Sequence, residues 1–246
     1  MYDCQAATLQ IFRAVSQKPD LCFISLSKRP AMTNTPEHQI FNLIILDESG
    51  SMEPIKPALL TGFHEMVQTI RGAQALYPGQ QHFITLVTFN GLAIRTLLDK
   101  QQVDMLQPMT DQQYQPDAST PLYDAMGRSL MRLEWQTEQL TDYSVLVSIM
   151  TDGQENASRE FSGSAVRALV DRLTKLGWSF TYMGANHDVE RTASSLSIPS
   201  SLRFENSQAS VRDIFDKDRK GRMAYYDKKS KGMSSRQAEE GFWEQP

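Results

Sequence analysis

Cysteine is nearly absent from this 246-residue chain: Cys4 and Cys22 are the only two. Two thiols are too few for a disulfide framework or a four-thiolate zinc site, and a reducing compartment is the simplest setting for them. No uninterrupted apolar stretch reaches the roughly 18 residues a membrane-crossing helix needs. The amino-terminal residues lack a basic start followed by an apolar run, which argues against a secretory signal and for the cytoplasm. Glycine-rich phosphate loops of either common spacing are missing, so the chain offers no nucleotide-binding signature. Excess positive charge is missing too, since 25 Lys and Arg stand against 29 Asp and Glu for a net charge of −4. Without a global positive field, nucleic acid and anionic membrane are poor partners, and only a local basic patch could attract them.

What is present is an ordinary globular composition, 40% hydrophobic and 22% charged, with length for one large domain. Residues 1–37 carry little pattern and read as a poorly structured extension; Met32, just ahead of the patterned region, is a candidate start of translation. From there on, Phe41 to Leu46 and Tyr143 to Met150 are short apolar runs of the kind buried on both faces of a parallel sheet. Between Lys56 and Leu76 apolar residues recur every three or four positions, the pattern of an amphipathic helix. His82 to Asn90 reads as a strand, and Asn90-Gly91 as a turn into an antiparallel strand over Leu92 to Leu98. Residues 99–119 read as a long polar loop, followed by a helix carrying Leu122, Ala125, Met126, Leu130 and Leu133. Further elements are expected as a helix over Ala165 to Leu176, a strand at Trp178 to Met183, a short helix near Val189 to Leu196 and a weak strand at Leu202 to Phe204. Alternating strands and helices predict a doubly wound, mostly parallel open α/β sheet with one antiparallel edge strand and helices on both faces. Such sheets bind ligands at the carboxyl ends of their strands.

Three segments belong to that rim. Asp47-Glu48-Ser49-Gly50-Ser51 follows the first buried strand, Thr151-Asp152-Gly153 follows the later one, and Ser119-Thr120-Pro121 opens the second amphipathic helix. Together they offer the carboxylates of Asp47 and Asp152 and the hydroxyls of Ser49, Ser51 and Thr120. An all-oxygen set without thiolate or imidazole suits Mg²⁺, Mn²⁺ or Ca²⁺ better than zinc or copper. Alternate residues of an extended turn share a direction, so Asp47, Ser49 and Ser51 can face one point. Glu48 and Glu155 flank the set and read as solvated loop charges; His38, His64, His82 and His187 show no ligand spacing and read as surface or packing residues.

Asp47-x-Ser49-x-Ser51, Thr120 and Asp152-Gly153 resemble the metal-ion-dependent adhesion site of von Willebrand factor type A domains, and the resemblance spans roughly residues 38–215. Thr120 to Gly127, Met150 to Ser158, Gly177 to Phe180 and Met183 to Asn186 look like the intracellular bacterial branch of that family. The resemblance implies a Rossmann-like domain and a Mg²⁺ held by Ser49 and Ser51, with Thr120, Asp47 and Asp152 direct or through water. It also implies a protein partner that donates an acidic side chain. By family analogy alone, that partner is an AAA-type ATPase or a stress- or defence-system protein. The expectation is therefore a binding module and not an enzyme. A metal-dependent hydrolase is the alternative, opposed by the absence of a Gly-x-Ser-x-Gly elbow or a second carboxylate cluster. A further alternative is a scaffold that contacts nucleic acid through residues 216–246, a locally basic stretch with Tyr225 and Tyr226 interleaved, read as a partly disordered tail.

Overall fold

Strand β1 (His38–Asp47) lies at the centre of the sheet because its side chains are apolar on both faces. Ile40, Ile44 and Leu46 enter one core layer, while Phe41, Leu43 and Ile45 enter the other. In the computed structural model, residues 38–186 and 188–245 are described. The expectations for residues 1–37, Cys4, Cys22, Met32 and His187 fall outside them.

Six strands run in the order β3-β2-β1-β4-β5-β6, with β2 (Gln80–Phe89), β4 (Tyr143–Thr151), β5 (Trp178–Gly184) and β6 (Ser200–Arg203). All neighbours pair in parallel except β2 with β3 (Ile94–Gln102). One face is covered by α1 (Lys56–Leu76) and α5 (Gln208–Ser230), the other by α2 (Leu122–Thr137), α3 (Gly163–Lys175) and α4 (Val189–Ser195). Parallel strands with helices on both faces are the doubly wound α/β architecture the alternating pattern predicted.

The hairpin differs in detail from the expectation. Asn90 folds its side chain back so that Oδ1 accepts from the main-chain N–H of Leu92 and Ala93, both at 3.0 Å. Those residues are thus spent on the turn, β3 starts at Ile94, and residues expected in the loop, Asp99 to Gln102, belong to the strand. The rest of the presumed polar loop is pinned by Tyr114, a fully buried residue whose hydroxyl donates to the main-chain oxygen of Asp47 at 2.5 Å.

The largest departure lies at the carboxyl end. Residues from 216 onward, expected as a partly disordered tail, continue α5 to Ser230 and then form α6 (Ser235–Glu239). Val211, Ile214, Phe215, Asp218, Arg222, Tyr225 and Tyr226 are buried at helical spacing and dock the helix on the sheet and on α1. The approach to α1 is close: a Cβ added at Gly62 would lie 2.0 Å from the Phe215 ring. Arg222 is fully buried and donates to Asp218 at 2.6 Å and to Ser148 of β4 at 2.7 Å, while Tyr226 donates to Asn42 of β1 at 2.6 Å. Tyr225 and Tyr226 are therefore core residues and cannot present rings to nucleic acid. No helix of the described residues is long and apolar enough to cross a membrane.

Candidate metal centre

The parallel β1 and β4 end side by side, so Asp47 closes one strand while Thr151 and Asp152 close and follow the other. Asp47 is fully buried. Its Oδ1 accepts from the Ser49 N–H at 2.7 Å and its Oδ2 from the Thr151 hydroxyl at 2.5 Å. Gly50 opens a 3₁₀ turn (Gly50–Ile55) that carries Ser51 back over the strand end. There the Ser51 hydroxyl lies 3.2 Å from that of Ser49 and donates to Asp152 Oδ1 at 2.6 Å.

Thr120 reaches the same rim from the loop ahead of α2. Its main chain is clipped to Asn156, whose Oδ1 accepts from the Thr120 N–H at 2.8 Å and whose N–H donates to the Thr120 carbonyl at 3.2 Å. The Thr120 hydroxyl overhangs Gly153, where an added Cβ would come within 2.9 Å of Oγ1. Glycine is needed at 153 for this close approach. All five residues singled out in the sequence thus converge on one rim, drawn from three loops. Among the described residues no group of three or more His, Cys, Asp or Glu forms a metal cluster, so the set depends on its hydroxyls.

Burial pushes the Asp47 carboxyl up to about 6, outweighing the hydrogen bonds from Thr151 and Ser49, and the charge of Asp152 adds to the rise. Burial, with the nearby charge of Asp47, also pushes the Tyr114 hydroxyl well above its usual range. Two buried or nearly buried carboxylates beside aligned hydroxyls form an all-oxygen donor set that suits a hard divalent cation.

The flanking acids are not the solvated charges expected of them. Glu48 is 1% exposed and takes a two-pronged contact from Arg95 at 2.5 and 2.6 Å, with a further hydrogen bond from the Gln115 N–H. The antiparallel return of β3 sets Arg95 opposite Thr88 near the end of β2, which lies beside the end of β1 from which Glu48 follows, a proximity invisible in the linear sequence. Glu155 accepts from the N–H groups of Tyr123, Ala157 and Ser158 and from the Ser158 hydroxyl, at 2.7–2.8 Å. It ties the loop after β4 to the start of α2. Asp124 does the same, accepting from the N–H groups of Arg159, Glu160 and Phe161.

One rim residue gave no signal in the sequence. Asn206, between β6 and α5, donates its Nδ2 to Asp152 Oδ2 at 2.8 Å and to the Ser51 carbonyl at 3.1 Å. It precedes the Ser207 cap of a helix whose existence the charge pattern obscured.

No family model and no curated protein matches the sequence. Solved structures do match the fold. The PilB minor pilin from Streptococcus sanguinis superposes with a TM-score of 0.56 at 11% identity, over 76% of this chain and 62% of the pilin chain. The chain therefore spans less than two thirds of that pilin's length. The SpRpn10 VWA domain matches with a TM-score of 0.52 at 12% identity, over 72% of this chain and 93% of that domain. The pilus adhesin SpaC from Lactobacillus rhamnosus GG, in its open conformation, gives 0.52 at 14% identity, over 78% of this chain and 31% of the adhesin. At such identities the likeness concerns architecture alone, and with the six-stranded, mostly parallel sheet described above it gives the chain a von Willebrand factor type A-like α/β fold.

Proposed function

We propose that the protein is a Mg²⁺-dependent protein-interaction module, with a metal-ion-dependent adhesion site completed by an acidic side chain of a partner protein. The observation that carries this reading is the convergence of Ser49, Ser51, Thr120, Asp47 and Asp152 on one rim, with the Ser51 hydroxyl bonded to Asp152. In this reading Ser49, Ser51 and Thr120 hold the cation, with Asp47 and Asp152 acting directly or through water; Mn²⁺ or Ca²⁺ could substitute. A cation bound there supplies a coordination position with electrophilic character. The protein's own groups do the rest: Thr151 and the Ser49 N–H orient Asp47, while Asn156 and Gly153 set the height of Thr120.

A binding role is favoured over a reaction because the acids that could act as general base are committed elsewhere. Glu48 is engaged by Arg95, and Glu155 by four donors of its own loop and α2. The motif resemblance to the intracellular bacterial branch, with the scarcity of cysteine, supports a cytoplasmic partner.

The test is a calorimetric Mg²⁺ and Mn²⁺ titration, paired with affinity capture in Mg²⁺ or chelator. Asp47→Ala and chelation should each abolish capture while the domain stays folded. Capture that survives both, or a wild-type chain that takes up neither ion, would overturn the reading.

A further inference from the structure

Five residues at the rim follow the resemblance to adhesion sites, but the structure ties in a sixth. Asn206 lies where β6 gives way to α5, and its amide nitrogen spends its two hydrogens on two different loops. One goes to Asp152 Oδ2 after β4, the other to the Ser51 carbonyl after β1. Asp152 Oδ1 meanwhile receives the Ser51 hydroxyl at 2.6 Å. The Asp152 carboxylate is thus gripped at both oxygens by donors from separate segments, and these grips fix its rotation. Both Asn206 contacts are to acceptors, so the orientation of the amide follows from its partners.

The segment bearing Asn206 is itself held from both sides. Ahead of it, the Phe204 N–H donates to the Gly184 carbonyl at 2.9 Å and the Phe204 ring is buried. Behind it, Ser207 caps α5 through the Ser210 N–H at 3.2 Å, and the Ser210 hydroxyl accepts from the Glu205 N–H at 2.9 Å. The amide oxygen of Asn206 is shut away from solvent and has no hydrogen-bond partner among the described residues. A buried acceptor without a donor costs stability and calls for an explanation. A donor arriving with a hydrated cation would supply one.

We infer that Asn206 is a positioning residue of the site, holding Asp152 and the Ser51 main chain in one arrangement and thereby setting the affinity for the divalent cation. The inference rests on the metal-site reading above. Groups that orient a metal ligand typically contribute about 10- to 100-fold in metal affinity.

The experiment titrates Mn²⁺ into the full chain and into Asn206→Ala and Ser207→Ala, with thermal melts in chelator alongside. Ser207→Ala loosens the start of α5 without touching Asp152, so it isolates loss of local stability from loss of positioning. Asn206→Ala should bind Mn²⁺ about 10- to 100-fold more weakly, while Ser207→Ala keeps wild-type affinity even where its melt in chelator falls further. Equal affinity of Asn206→Ala and wild type would overturn the inference and leave the metal-site reading standing. An equal loss in Ser207→Ala would assign the effect to the helix start and overturn it as well. Failure of the wild type to bind Mn²⁺ at all would remove both readings together.

Discussion

Replacing Asp47 by asparagine keeps the shape of the side chain and removes its charge, and the structure predicts different outcomes with and without metal. Burial lifts the Asp47 carboxyl from 3.8 to about 6 in the folded chain. At neutral pH that displacement disfavours the folded, ionised form by about 3 kcal/mol. The folded state holds the proton more tightly than the unfolded state. The contribution of Asp47 to stability in chelator is therefore greatest below about 3.8 and declines as the pH rises through about 6. Asp47→Asn should abolish that decline and stabilise the metal-free protein at pH 7.5 by roughly 1–3 kcal/mol. The lower end allows for the need to remake two hydrogen bonds, since the amide oxygen can still accept from the Ser49 N–H while the Thr151 hydroxyl must turn to accept. At about 2–4 °C per kcal/mol for a domain of this size, the gain is several degrees. Wild type in Mn²⁺ at about 100 times its dissociation constant should recover roughly 2.7 kcal/mol, and the variant nothing, so their melting order narrows or reverses. Differential scanning fluorimetry at pH 4.5 and 7.5, in chelator and in Mn²⁺, reads all four combinations. An Asp47→Asn variant that melts below wild type in chelator at pH 7.5 would refute the reasoning.

Gly153→Ala drives a methyl group against the Thr120 hydroxyl, which would stand 2.9 Å away. It should weaken Mn²⁺ binding at least tenfold by calorimetry while costing about 1–3 kcal/mol of stability, and unchanged affinity would show that the Thr120 hydroxyl takes no part. Arg222→Met strands the fully buried Asp218 and should cost about 3–5 kcal/mol in urea unfolding, whereas the double change with Asp218→Leu should recover most of the loss; no recovery would mean that Arg222 acts mainly through Ser148.

The central part of the fold was legible because its physics is local. The spacing over Lys56 to Leu76 marks a helix with the same limits in the structure, and the apolar run ending at Leu46 has the form of a strand covered on both faces, which it is. The five rim residues were legible because each stands at the end of a recognisable element. Helix α5 was obscured because the charges of Asp216, Lys217, Arg219 and Lys220 hide a spacing of Val211, Ile214, Phe215, Tyr225 and Tyr226 that runs on to the helix end. Asp218 and Arg222 compound this: they satisfy each other inside the core, and one sequence cannot reveal that pairing. Glu48 and Asn206 were missed for the same kind of reason. Their partners, Arg95 and Asp152, lie 47 and 54 positions away, brought near only by the register of the sheet and the return of the chain to its rim.

The Arg222 plug also bears on how the molecule is made. In chain order β1 and β4 come first; within the sheet Asn42 donates to the Phe83 carbonyl and Ser148 pairs with Thr181, while the Asn42 Oδ1 and the second contact of Ser148 are met only by Tyr226 and Arg222 of α5. Covering of this face of the sheet thus waits for α5, which follows every strand in chain order. A fragment cut at residue 215, the boundary expected from the sequence, would leave an open polar seam along the middle of the molecule.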